Sequence, residues 1–153
     1  MSKIDARLAD LGIVLPDPAA PVANYVPHVQ TGSLVFVSGQ VSITPDGLIA
    51  GKLGADLDIE RGQQAAHACA VNLIAQVKAA CGGDLDRLTR VVKLGAFVNS
   101  TPDFVDQPKV ANGASDLMVG VFGDAGRHAR AAVGAPSLPM NAAVEVDGVF
   151  EIR

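Results

Sequence analysis

The segment from about Ile59 to Cys81 is a helix with both ends written into the chain. Asp58 supplies a capping carboxylate, Ala66, Ala70, Leu73, Val77 and Ala80 form one apolar stripe, and Gly82-Gly83 stops it. A helix with a single apolar stripe needs a second layer to cover it, and extended segments on both sides provide one. Tyr25–Thr31 and Leu34–Gly39 precede the helix, divided at Gly32-Ser33 as in a hairpin. Pro45-Asp46-Gly47 marks a turn. After the helix come a strand near Arg90–Asn99 and a second helix from about Gln107 to Gly120, with Gly113 inside it. Two closing strands, Ala129–Ala135 and Ala142–Ile152, are joined through Pro136-Ser137-Leu138-Pro139. The order, strand-strand-helix-strand-helix-strand-strand, predicts an α+β fold with a mixed sheet and two main helices on one face. One domain is expected over residues 1–153. Residues 1–24 would form a leading helix, capped by Ser2, and part of a Pro-rich connector running from Pro16 to Pro27.

Two helices cover only one face of a sheet. Yet Leu34-Val35-Phe36-Val37 is apolar on both sides, and Ala131-Ala132-Val133-Gly134-Ala135 is small or apolar on both. The opposite face therefore needs another subunit. Composition agrees, with 49% apolar and 18% charged residues, an apolar balance for a short chain. A net charge of -4 and only 4% aromatic residues with no Trp argue against nucleic-acid binding, since both the basic patch and the stacking platform are missing. Met1 to Leu15 lacks the pattern of a secretory signal, and no segment is apolar for long enough to span a bilayer, so a cytoplasmic protein without membrane contact is expected. Cys69 and Cys81 lie on one helix, about 18 Å apart at about 1.5 Å per residue, too far to pair. They read as reduced, packed thiols.

Two charged residues stand out. Arg130 heads an otherwise uncharged strand, and its planar fork suits a bidentate carboxylate. The plainer alternative is a strand-end arginine in solvent or in a salt bridge. In Val144-Glu145-Val146-Asp147 the acids alternate with the valines, which places Glu145 on the face reserved for another subunit. There it would orient water or shuttle a proton, or simply neutralise a buried arginine. His28, near Tyr25, and His128, two residues before Arg130, could border a cleft at those residues, and His67 lies mid-helix; none has metal-ligand spacing, and no metal site is expected. Asp84 and Asp86 read as a solvated loop before Arg87 and Arg90.

Arg130-Ala131-Ala132-Val133, then Leu138-Pro139, then Ala143-Val144-Glu145-Val146 resembles the C-terminal signature of the reactive intermediate deaminase (RidA/YjgF) family. Ser38-Gly39-Gln40 resembles its S-G-Q, Tyr25 stands at the usual distance before it, and Asn112 falls where the family carries an Asn. The resemblance runs from about Tyr25 to the C-terminus. It implies a chorismate-mutase-like fold and a homotrimer packed around a central β-barrel, with a cleft between neighbouring subunits. It further implies hydrolysis of enamine/imine intermediates such as 2-aminoacrylate and 2-iminopropionate to 2-keto acids and ammonia, without a cofactor. In those terms Arg130 would hold the substrate carboxylate and Glu145 would handle the water and the proton. Tyr25, Ser38, Gly39, Asn112 and Ala132 would line the pocket. The chain departs from the family pattern at Asn24 (usually Gly or Pro), at Ala132 (often Cys) and at Ser115 (often aromatic), which marks a divergent branch. Two other functions stay open: non-catalytic sensing of a small carboxylate or 2-keto acid in the same cleft, and an interaction or chaperone-like module in which the apolar surface is the function.

Overall fold

The computed structural model describes residues 1–18, 20 and 23–153. A first helix, α1 (Lys3–Asp10), is capped by the Ser2 hydroxyl, which accepts from Asp5 N at 3.0 Å. Of the Pro-rich connector, Ala19, Pro21 and Val22 lie outside the described residues, and the described remainder forms no helix or strand. Then follow β1 (His28–Thr31), β2 (Leu34–Val41), the short hairpin β3 (Ile43–Thr44) and β4 (Gly47–Leu48), α2 (Ile59–Ala80), β5 (Leu88–Asn99), α3 (Gln107–Phe122), β6 (Ala129–Ala135) and β7 (Val144–Ile152). Five strands form one mixed sheet in the order β1-β2-β7-β5-β6. Only β5 and β6 run parallel, joined through α3, as a crossover between parallel strands requires.

The expected α+β architecture is present, with some edges moved. The first strand begins at His28 rather than Tyr25. Pro27 has no N–H to give a ladder, and the Ser38 hydroxyl takes the Val26 carbonyl at 3.0 Å, so Tyr25–Pro27 follows β2 without pairing regularly. The last strand begins at Val144, because Pro139–Asn141 coils into a 3-10 turn with Met140 and Asn141 both at φ 58°. The β3–β4 hairpin around Pro45-Asp46 was expected only as a turn. Asp86 is not a loop residue facing solvent alone: its carboxylate accepts from Lys3 N and Ile4 N, both at 3.0 Å, and so holds the amino end of α1.

α2 and α3 pack on one face over a core that includes Leu73, Ile74, Leu94, Met118 and Phe150. Gly113 explains itself here, since a Cβ at that position would run into the Gln63 carbonyl of α2. The glycine lets the two helix backbones approach, and Gly62 on α2 receives Val110 in return, 3.1 Å from where a Cβ would stand. Cys69 and Cys81 are buried and unpaired within this layer. The other sheet face is open. Val29, Phe36 and Val133 are each about half exposed there, and Phe97 is 37% exposed. No helix among the described residues is long and apolar enough to cross a membrane.

Candidate functional site

The candidate residues fall into two groups. The first is built where β2 meets β7. Val41 is the register partner of Glu145, and a bulge between Val37 and Gln40 displaces Ser38 and Gly39 from regular pairing. The Glu145 side chain lies against Gly39: a Cβ at residue 39 would stand 2.9 Å from the carboxyl carbon and 3.1 Å from Oε1. Only glycine leaves the carboxylate this place. Burial pushes the Glu145 carboxyl above the ordinary range, and the neighbouring Asp147 charge adds to the rise. A cavity of ≈ 550 Å³ opens in front, lined among others by Tyr25, Ser38, Gly39, Met140 and Glu145, with Asp17 of the connector at its border. Tyr25 is 53% exposed.

The second group belongs to β6 and α3. Arg130 Nη1 donates to Asn112 Oδ1 at 2.9 Å and to Ser115 Oγ at 3.1 Å, and Nη2 donates to the Pro108 carbonyl at 3.4 Å. No described carboxylate lies within ion-pairing distance of this guanidinium, so the salt-bridge alternative finds no partner in the described chain. Ser115 continues the chain of hydrogen bonds to His128 Nε2 at 2.9 Å, while His128 Nδ1 meets the Gly126 carbonyl at 2.6 Å. A carbonyl only accepts, so Nδ1 carries a proton; in the neutral ring Nε2 then accepts from the Ser115 hydroxyl. Ala132 lies on the same side of β6 as Arg130, packed against the core.

Within one chain the two groups do not meet. Glu145 pairs with Phe97 across β5, while Arg130 pairs with Leu94 on the other side of β5. Two strand spacings of about 4.8 Å and three residues of about 3.3 Å separate their Cα positions by roughly 14 Å. The faces differ as well. Arg130 turns toward α3, whereas Glu145 alternates with the buried Val144 and Val146 and turns to the open face. His28 and His67 join neither group, and His28 Nδ1 is buried without a partner. No cluster of metal-ligating side chains occurs among the described residues. Ser115 and the Pro108 carbonyl are not singled out as site residues from sequence, and His128 is expected only at the border of the cleft. The available signal was spacing: Ser115 is one helical turn from Asn112, and His128 precedes Arg130 by two residues, just ahead of β6.

Residues 5–151 match the family described as "YjgF/chorismate_mutase-like, putative endoribonuclease". TCP17 from Trypanosoma cruzi is 53% identical over 153 residues, covering 99% of this chain and 95% of that protein. The RutC family protein y4sK from Sinorhizobium fredii is 30% identical over 136 residues, covering 89% and 93%. The crystal structure of Atu1372, a protein of unknown function from Agrobacterium tumefaciens, superposes with a TM-score of 0.92 at 50% identity, covering 98% of this chain and 92% of that one. The chain therefore belongs to the RidA/YjgF family, with its chorismate-mutase-like fold.

Proposed function

We propose that this protein hydrolyses small reactive enamine/imine intermediates, of the 2-aminoacrylate and 2-iminopropionate type, to 2-keto acids and ammonia. The reaction would take place in clefts between the subunits of a cytoplasmic homotrimer. The observation that carries this reading is the Arg130 guanidinium, held by Asn112, Ser115 and Pro108 without a carboxylate of its own. Such a cation is oriented by neutral oxygens and keeps its charge available for a ligand carboxylate. Glu145 supports the second half, as a partly buried carboxylate with a raised pKa in a cavity large enough for a three- or four-carbon acid. Because the two lie on opposite faces, a complete site takes Arg130 from one copy and Glu145 from the next. The apolar open face supplies the reason for copies to associate.

The steps balance without a cofactor or metal. Arg130 holds the carboxylate and fixes the imine carbon. Glu145 accepts a proton from water as its oxygen bonds to the carbon of the protonated imine, giving a neutral carbinolamine. Glu145 passes that proton to the nitrogen and then takes the hydroxyl proton as the C–N bond breaks, so ammonia leaves and the carbonyl forms. Tyr25, Ser38 and Gly39 border the reacting carbon on the Glu145 side, and Asn112 keeps the guanidinium in plane. The test is 2-iminopropionate, generated from alanine by an amino-acid oxidase. The wild type should accelerate its loss, and Arg130→Ala should abolish the acceleration. A correctly assembled wild type with no acceleration would refute the deaminase reading, and carboxylate binding lost in Arg130→Ala would then identify a sensor.

A further inference from the structure

At the other end of β6 from Arg130, a cavity of ≈ 580 Å³ is lined by Lys52, Ser100, Thr101, Phe104, Gln107 and Gly134 together with flanking prolines. Its polar groups are assembled on neutral oxygens. Lys52 Nζ donates to Asn99 Oδ1 at 2.7 Å and to the Pro136 carbonyl, which uses two of its three hydrogens. No described carboxylate is within ion-pairing distance of that ammonium; the nearby Asp56 carboxylate accepts instead from the Lys52 backbone N–H at 3.0 Å. Asn99 is fully buried, and its Nδ2 is anchored on Asn141 Oδ1 and the Ala142 carbonyl, so the acceptor that holds Lys52 is itself fixed.

One hydroxyl, that of Ser100, lines the same cavity as the ammonium. Ser100 is only 6% exposed, while Thr101 Oγ1 is buried against Gly54, away from that cavity. Ser100 Oγ and Gln107 Nε2 converge on Gly134, at 2.8 and 2.9 Å from where a Cβ would be, and the missing side chain keeps that end of the cavity open.

We propose that this cavity is a second ligand site, taking a small monocarboxylate with a short apolar tail. One carboxylate oxygen receives the third Lys52 hydrogen; the other receives the Ser100 hydroxyl; the tail lies on Phe104, Pro102 and Pro136. A dianion such as phosphate would leave one charge uncompensated over a single cation. The site stands independently of the Arg130 reading, and the experiment separates the two. Backbone amides of Ser100, Thr101 and Gly134 are followed by ¹H–¹⁵N NMR while the intact protein is titrated with butyrate to about 10 mM, enough to approach saturation at a Kd of about 1 mM. These amides should shift in wild type and equally in Arg130→Ala. The affinity read from them should fall about tenfold or more in Lys52→Met, which keeps the stem and removes the charge, and in Gly134→Ala, which closes the cradle. Gly134→Ala decides the matter if Lys52→Met fails to fold. Still amides in wild type, shifts lost in Arg130→Ala, or equal affinity in Gly134→Ala would each overturn the proposal. Displacement of butyrate by inorganic phosphate would overturn the monocarboxylate assignment.

Discussion

Ser115 sits between two charged or chargeable groups, accepting from Arg130 Nη1 at 3.1 Å and contacting His128 Nε2 at 2.9 Å. As a positioning residue it should affect ligand binding more than the chemical step. Ser115→Ala is expected to raise KM about tenfold, the equivalent of about 1.4 kcal/mol, while kcat changes little. Steady-state kinetics read the split, and a fall confined to kcat would contradict it. Glu145 makes the opposite case. It must be ionised to take a proton from water, and burial holds its pKa above the usual carboxylate value, so activity should rise as pH climbs through that raised pKa. Glu145→Gln should remove the acidic limb of the profile with the activity. Ionising the native carboxyl opposes folding as pH rises from the unfolded to the folded pKa, so Glu145→Gln should melt no earlier than wild type at neutral pH. A lower Tm would show that the carboxylate has a structural partner. Arg130, Glu145 and Asn112 were legible because fork, alternation and family spacing are properties of the chain itself. The link from Arg130 through Ser115 to His128 was not, because it depends on how α3 crosses β6, which residue spacing alone does not specify.

At the scale of elements, α2, α3 and β6 followed directly from periodicity and their end signals, with edges moved by a residue or two at most. The failures have local causes. Tyr25–Pro27 looked extended and is unpaired because Pro27 cannot donate and Ser38 captures Val26 O. β3 and β4 are two residues each, too short for any alternation to register. α1 is legible as a helix, but its berth is not. Asp86 caps it from afar, Asp5 pairs with Lys78 at 2.8 Å, and Arg7 donates to the Gly120 carbonyl at 2.8 Å. The two backbone N–H groups hold the Asp86 carboxyl below its ordinary range, so this anchor survives until pH falls through that lowered value. Asp86→Ala should speed hydrogen exchange across Lys3–Asp10 about tenfold and leave the central strands unchanged. Uniform acceleration throughout the sheet would mean that α1 is part of the cooperative core.

For the whole molecule, the sheet divides the work. One face buries the core under α2 and α3; the other presents Phe36, Phe97 and Val133 together with Glu145 and Asp147. The residues proposed to act together therefore sit on opposite faces of one chain, an arrangement that alternation along each strand already implied for Glu145. What the strands could not reveal is the order β1-β2-β7-β5-β6, which puts β5 between the two groups, so the proposed joint action calls for a second copy. On the proposed reading, a heterologous, ring-closing interface would bring the Arg130 edge of one copy to the Glu145 cavity of the next. The central claim of a shared site is tested by complementation. Arg130→Ala and Glu145→Gln proteins, each inactive and each correctly assembled, are unfolded together, refolded as mixed trimers and assayed for 2-iminopropionate hydrolysis. Random mixing gives about one cleft in four an intact Arg130 and an intact Glu145 from different copies, so about a quarter of the wild-type rate should return. Mixed trimers that form and stay inactive would contradict a site built from two chains.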